Sequence, residues 1–218
     1  MSFKKNKYIV IKNAISKELA DFIFQYFLLK RQVAKTMFDN KYISQFTEYF
    51  GVWNDKQVPD TYSHYSDIAM ETLLTKVHSI MEKETGLKLI PNYSYARIYK
   101  KGDVLKRHKD RFSCEISTTM HLGGGSWDIY LEPDSSKGSS NKKTGDYIPS
   151  KSKGIKISLQ PGDMLVYRGN ELEHWRNELT FNDCGQVFLH YNNSQTEGAK
   201  ENIYDRRIHL GLPAWFKK

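Results

Sequence analysis

The chain has 218 residues, of which 39% are hydrophobic and 27% charged, and its formal net charge is +8. This balance is typical of a folded globular protein and argues against intrinsic disorder. No apolar run approaches the roughly 20 residues that a membrane-spanning helix needs, and no apolar segment follows the basic residues at the start. The sequence therefore predicts one cytoplasmic domain over residues 1–218, with no membrane segment.

The two cysteines, Cys114 and Cys184, are too few for a disulfide scaffold. Neither belongs to a Cys-x-x-Cys pair, so a cysteine-ligated zinc site is not supported. We expect both to be reduced thiols.

Residues 1–87 predict a strand followed by helical support. Residues 8–11 are apolar and β-branched, as in a strand. Ser16 is a suitable N-cap for a helix over residues 17–33, whereas residues 35–62 have no clear period and are predicted irregular. A second helix, ending at Gly86, is predicted from one apolar stripe: Met70, Leu73, Leu74, Val77 and Met81.

From residue 88 onward the pattern changes to short strands, which are predicted over 89–100, 115–122, 127–131, 155–159, 164–168 and 186–193. Several antiparallel strands after a helical half imply an α+β fold whose sheets form a sandwich or barrel. A polar stretch over residues 134–154 is rich in Ser, Lys and Gly. It predicts a mobile loop near the mouth of the site, with a passive insertion as the alternative. Residues 194–218 are predicted to be a C-terminal tail.

The most informative residues are His108 and Asp110. On an extended strand their side chains would point to the same face, because strand side chains alternate. A Pro161-Gly162-Asp163 turn followed by a strand then delivers His174. Two imidazoles and one carboxylate with open positions suit non-haem Fe(II), although zinc would also accept this ligand set.

The order of these features resembles the Fe(II)/2-oxoglutarate-dependent dioxygenases, in particular the prolyl-4-hydroxylase-like branch. The resemblance covers residues 91–193 and is strongest over 95–119 and 159–191. It implies a double-stranded β-helix (jelly roll) with supporting helices on one face. It also implies that His108, Asp110 and His174 bind Fe(II), that 2-oxoglutarate chelates the iron, and that O2 takes the last position.

The resemblance assigns further residues to 2-oxoglutarate. Tyr99 stands nine residues before His108, where the family has a tyrosine that hydrogen-bonds the cosubstrate, and Thr119 is a candidate hydroxyl donor. The family places a Lys or Arg for the distal carboxylate where this chain has Gln186, which carries no charge. Arg176 is the leading substitute because it lies two residues past His174. Arg97 and Lys156 are weaker candidates.

Arg111, Trp127 and Trp175 are candidate substrate-binding residues, although aromatic packing is an equally good reading of the two tryptophans. Among the other histidines, His121 and His190 fall on predicted strands and could line the barrel.

The resemblance implies an oxygenase that hydroxylates a protein side chain, in the first place a prolyl residue. The net charge also allows a nucleic-acid demethylase, but paired arginines after the second histidine are not evident. A catalytically inactive jelly-roll binding module is a third reading, and it would usually have lost one ligand. Hydroxylation of a small molecule would require a closed pocket rather than a groove.

Overall fold

The computed structural model describes residues 2–44, 46–141 and 144–217. Its helices are α1 (Phe3–Asn6), α2 (Lys17–Asp39) and α3 (Ile68–Thr85). The first strands are β1 (Tyr8–Ile11), β2 (Tyr62–Tyr65), β3 (Leu89–Lys100), β4 (Leu105–His108), β5 (Ile116–Gly124) and β6 (Ile129–Leu131). They are followed by β7 (Ser139–Ser140), β8 (Tyr147–Ile148), β9 (Ile155–Ile157), β10 (Met164–Arg168), β11 (His174–Arg176) and β12 (Asp183–Asn193).

Two antiparallel sheets form the jelly roll. Within the described residues the larger sheet has the strand order β1-β10-β5-β12-β3-β2, and the smaller has the order β4-β11-β6-β9. The jumps in this order mean that neighbouring strands are far apart in sequence, as expected when a chain winds back and forth between two sheets. The predicted α+β jelly roll is confirmed.

Both long helices cover one face of the larger sheet, as predicted, and the main hydrophobic core lies between them and the sheet. Phe24 of α2 lies against two glycines of the sheet, Gly123 and Gly185, where a Cβ atom would collide with its ring. The α3 stripe predicted from sequence is fully buried, and Gly86 ends that helix in the left-handed conformation. No helix among the described residues combines the length and apolarity needed to cross a bilayer.

Several predicted boundaries need correction. Helix α2 continues six residues past Val33 to Asp39, and β2 begins at Tyr62, so the prediction that residues 35–62 are irregular is wrong at both ends. Strand β6 begins at Ile129 instead of residue 127. The C-terminal tail is packed against the domain, because Arg207 forms a buried ion pair with Glu71 of α3 at 2.7 Å.

The segment 134–154 includes the β7–β8 hairpin, while Lys142 and Lys143 lie outside the described residues. It is tied to the jelly roll by Glu173, whose carboxylate accepts hydrogen bonds from Tyr147 and Ser150. The segment lies beside the site, since Lys109 donates to the carbonyl oxygens of Ser135 and Gly138. Its mobility stays a prediction.

Candidate metal centre and its cavity

The two histidines of the triad face each other across a strand pair. His108 ends β4, His174 begins β11, and the two are direct partners in the antiparallel register. Opposed residues on adjacent strands share a face, so both rings project inward, with centroids 4.2 Å apart. The expectation that Asp110 lies on the same strand as His108 is wrong: the strand ends at His108. Asp110 is instead positioned by its backbone N–H, which donates to Gly169 O at 2.8 Å.

The three side chains bring their ligand atoms to one point. Asp110 Oδ1 lies 3.6 Å from His108 Nε2 and 3.5 Å from His174 Nε2. The ligand atoms of the group lie within 4.8 Å of one another. This spacing brackets a single small cation, for which two imidazoles and one carboxylate are suitable donors.

Neighbouring backbone fixes the tautomer of both imidazoles. His108 Nδ1 lies 2.8 Å from Lys106 O, and His174 Nδ1 lies 3.0 Å from Leu172 O. Since a carbonyl oxygen only accepts, each Nδ1 carries the proton and each Nε2 keeps its lone pair for a metal. Burial and the nearby His174 lower the pKa of His108 to about 4, which keeps its imidazole neutral near pH 7.

Asp110 is held in an orientation that suits one-oxygen coordination. Its Oδ2 accepts a hydrogen bond from Ser117 Oγ at 2.7 Å, which leaves Oδ1 facing the histidines. Ser117 Oγ also lies 3.0 Å from His190 Nδ1. A Cβ at Gly169 would collide with both Asp110 and Ser117, so glycine is required there. Burial would raise the pKa of Asp110, but the histidines, chiefly His174, hold it well below its usual range.

Ser117 and His190 were not assigned a role from sequence, although strand alternation offered a signal. Ser117 lies two residues before Thr119 on β5, and His190 is its direct partner on β12. His190 lines the cavity, as its predicted strand position allowed. His190, Asp110 and Cys114 form a second group with ligand spacing. Cys114 and Cys184 are both free and buried.

The triad opens into a cavity of about 350 Å³. Tyr99, Tyr167 and Ile129 line it on the inner side, and Arg97, Asp55 and Gln57 line it towards the exposed surface.

Arg176, Thr119 and Gln186 do not line the cavity; Arg176 lies behind Tyr99 and Trp127. Tyr99 packs edge-on against Trp127, with centroids 4.6 Å apart, and the Arg176 guanidinium lies 5.0 Å from the Trp127 ring centroid. Arg176 Nη2 donates to Thr119 Oγ1 at 3.0 Å and to Gln186 Oε1 at 3.3 Å. The structure therefore brings three predicted cosubstrate residues, Arg176, Thr119 and Gln186, into one hydrogen-bonded group. We call this group the closed end.

The charge at the closed end has no counterion. Arg176 is 1% exposed, and in the described part of the chain no carboxylate lies within ion-pair distance of it and its Nε has no hydrogen-bond partner. Burial lowers the pKa of this guanidinium. An unpaired buried cation is costly, and an arriving carboxylate would remove that cost.

Other predicted residues are placed differently. Trp175 points away from the triad and stacks on Tyr130 at 5.4 Å between centroids, so it does not line the cavity. Trp127 packs at the closed end and donates its indole N–H to Asn177 O. Arg111 lines the cavity and is paired with Asp205 at 2.9 Å. Lys156 is paired with Asp128 at 2.8 Å, outside the cavity.

No family model and no curated protein sequence matches this chain. Solved structures do match it. A prolyl-4-hydroxylase from Pseudomonas putida superimposes with a TM-score of 0.53 at 11% identity, over 88% of this chain and 96% of that one. The chain has the fold of the Fe(II)/2-oxoglutarate oxygenases. The α-ketoglutarate-dependent epimerase SnoN of nogalamycin biosynthesis gives a TM-score of 0.63 at 10% identity, over 88% of this chain and 80% of that one.

A third neighbour with this oxygenase fold is a prolyl hydroxylase from Trichoplax adhaerens. Its structure holds a peptide fragment of a hypoxia inducible factor. The TM-score is 0.54 at 11% identity, over 88% of this chain and 86% of that one. Identities this low show a shared fold, and the neighbours span both peptide and small-molecule chemistry.

Proposed function

We propose that the protein is an Fe(II)- and 2-oxoglutarate-dependent oxygenase. The observation that carries the proposal is the convergence of His108, Asp110 and His174 inside this fold, with both Nε2 atoms and one carboxylate oxygen turned towards a common point. The Gln57 carboxamide, whose Nε2 lies 3.1 Å from His108 Nε2, would move aside when a metal binds. The donor set fits Fe(II) and leaves coordination positions open. Bound iron would supply the activation of O2 coupled to oxidative decarboxylation of 2-oxoglutarate to succinate.

The chain's own residues would bind and orient the cosubstrate. Arg176 would pair with its distal carboxylate, supported by Thr119 at the closed end, in place of the basic residue that Gln186 does not provide. Tyr99, whose ring lies between the cavity and the closed end, would hydrogen-bond the same molecule. The apolar wall that includes Leu105 and Ile129 would exclude water from the reacting atoms.

The substrate we propose first is a prolyl side chain of a protein or peptide. Two observations support this choice: prolyl hydroxylases are among the structural neighbours, and the cavity is open to the surface beside exposed Gln57. Lys109 and Arg111 give that opening a positive rim.

The proposal is tested by incubating the purified protein with Fe(II), 2-oxoglutarate and O2, with and without prolyl peptides. We expect succinate to form and a peptide to gain one oxygen atom by mass spectrometry. A protein that binds iron but forms no succinate under any of these conditions would contradict the oxygenase assignment. Succinate formation without any prolyl product would contradict only the substrate.

A further inference from the structure

Arg97 is a second buried guanidinium, and unlike Arg176 it lines the cavity. It is 1% exposed, and its Nη1 donates to Tyr99 Oη at 3.2 Å and to Gln57 Oε1 at 3.3 Å. Its Nη2 is ion-paired with Asp55. The rings of Tyr95 and Tyr99 each have their centroids 5.2 Å from the guanidinium carbon. This planar cation is held rigidly on the cavity wall.

The partners of Arg97 come from a segment with no regular structure. Residues 53–61 form neither helix nor strand, and both Asp55 and Gln57 belong to them. The segment is fixed just after Gln57, where Val58 is buried beside Tyr99. Asp55 and Gln57 therefore cover the outer side of the cavity from a loop, while Arg97 is fixed on β3.

The position of Gln57 shows what fits between Arg97 and the metal ligands. Its carboxamide oxygen accepts from Arg97, and its Nε2 lies 3.1 Å from His108 Nε2, the nitrogen that faces Asp110. One planar group of three heavy atoms thus spans the distance from the guanidinium to the metal-binding nitrogen. A carboxylate has the same shape and pairs more strongly with arginine.

The two carboxylates of 2-oxoglutarate already have partners in the proposed function, one on the iron and one at Arg176. Arg97 is left facing the outer half of the cavity, where a substrate must enter. We propose that Arg97 binds a carboxylate of the substrate, which displaces Asp55 from Nη2 and the Gln57 carboxamide from Nη1. The enzyme would then act on a molecule whose reacting C–H lies a few bonds from a carboxylate. This inference rests on the proposed function and narrows its substrate class.

A free C-terminal or side-chain carboxylate on a peptide, or that of an amino acid, would satisfy this geometry. Asp55 would then keep Nη2 of the guanidinium paired until substrate arrives, and would weaken the binding of carboxylates by competing for that atom. A purely structural Asp55–Arg97 pair predicts instead that the wild type binds a carboxylate and its amide equally, because Arg97 would stay paired with Asp55.

The experiment compares matched probes by ligand-detected NMR, with Mn(II) and saturating 2-oxoglutarate present under anaerobic conditions. The pairs are N-acetyl-L-proline with N-acetyl-L-prolinamide, and benzoate with benzamide. We expect Asp55→Asn to bind each carboxylate about tenfold more tightly than the wild type does, with little change for the amides. Arg97→Gln should abolish the preference for carboxylates, and Arg97→Lys should retain part of it.

Asp183→Asn is the matched control, because it removes the carboxylate of an ion pair with Arg31 at 2.6 Å that lies outside the cavity. It should leave all four probes unaffected. Asp55 is on a partly exposed loop, so its variant tests the proposal even if Arg97 variants fail to fold. No detectable carboxylate binding to Asp55→Asn, or equal binding of acid and amide, would overturn the inference.

Two further outcomes separate this inference from the proposed function. If carboxylate binding disappears when 2-oxoglutarate is added, Arg97 holds the cosubstrate and the inference is overturned while the oxygenase assignment stands. If the Arg97-dependent preference persists in protein that neither chelates 2-oxoglutarate nor forms succinate, the carboxylate site is supported and the oxygenase function fails.

Discussion

Two buried arginines lie near Tyr99, Arg97 in the cavity lining and Arg176 outside it, and they differ in what surrounds them. Among the described residues, Arg176 at the closed end donates hydrogen bonds to neutral groups: Thr119 on β5, Gln186 on β12 and the carbonyl oxygen of Trp127. Arg97 at the outer side is paired with Asp55 from a loop. Arg176 is therefore preformed to bind an anion. Arg97 already has a carboxylate partner, which an incoming anion must displace.

The pKa values of the two arginines also shift in opposite directions. Burial lowers the pKa of Arg176, with nearby groups compensating only in part. Burial also opposes the charge of Arg97, but Tyr99, Tyr95 and Asp55 raise its pKa above the ordinary value. The guanidinium at the closed end therefore has no ion-pair partner among the described residues. A carboxylate could bind it tightly because it would not have to displace another carboxylate.

Removing the carboxylate of the metal-binding triad should have the largest effect. Asp110→Ala deletes one of three metal ligands, so we expect no measurable succinate formation and a large loss of iron affinity. The fold should persist, because Asp110 lies in a loop at a cavity wall. Circular dichroism and iron titration check both points, and full activity in this variant would exclude the triad.

Changing the closed end alone should weaken cosubstrate binding. Arg176→Gln removes the charge opposite the distal carboxylate, and we expect the KM for 2-oxoglutarate to rise about 10- to 100-fold, the equivalent of ~1.5–3 kcal/mol. Arg176→Lys should recover part of the loss because it restores the charge without the planar fork. An unchanged KM in a folded Arg176→Gln variant would move the distal carboxylate to another residue.

The hydroxyl that orients Asp110 should have an intermediate effect. Ser117→Ala frees Oδ2, so we expect about tenfold weaker metal binding and an altered visible spectrum of the Co(II) form. Ser94→Ala is a matched control, because that buried hydroxyl has no hydrogen-bond partner in the described residues. Ser117→Thr should restore the wild-type spectrum. Identical Co(II) spectra for wild type and Ser117→Ala would mean that Ser117 does not position the ligand.

The smallest effect should come from changing Asp205, at the outer side of the cavity. Asp205 is ion-paired with Arg111 and accepts a hydrogen bond from Ser113 at 2.7 Å. Burial opposes ionisation, but Arg111 and these hydrogen bonds lower the pKa of Asp205 to about 2. Its stabilisation is therefore complete above pH ~4 and is lost as the pH falls towards 2.

For Asp205→Asn we expect a free energy of unfolding lower by about 1–2 kcal/mol at pH 7. The difference from wild type should shrink in urea denaturation below pH 4. A difference that is constant from pH 7 to pH 2 would show that the charge of Asp205 contributes nothing.

The parts of the fold set by local periodicity were predictable from the sequence. Strands β3 and β10 match their predicted residues end to end. Residues 34–39 were left out of the predicted helix although Ala34, Met37 and Phe38 have the apolar i, i+3, i+4 spacing of a helix. Their helical state depends on continuation of an existing helix.

The site residues show the same limit: those related by local spacing could be predicted, and those brought together by distant segments could not. His174 and Arg176 could be assigned to one face because they are two residues apart on a strand. Asp55 and Gln57 could not be found, because their position follows from Val58 packing into a distant cluster and from pairing with a strand forty residues away. Ser117, the partner of Asp110, was missed because the contact depends on how the segment between β4 and β5 folds back onto β5.

The central claim is that the triad and the closed end together bind an iron chelate of 2-oxoglutarate. The most direct measurement is anaerobic titration of the Fe(II)-loaded protein with 2-oxoglutarate, following the weak visible charge-transfer band of the chelate. The account predicts that the band forms in the wild type, needs about 10- to 100-fold more 2-oxoglutarate in Arg176→Gln, and is absent in Asp110→Ala. Iron-loaded wild-type protein that never develops the band would contradict the account.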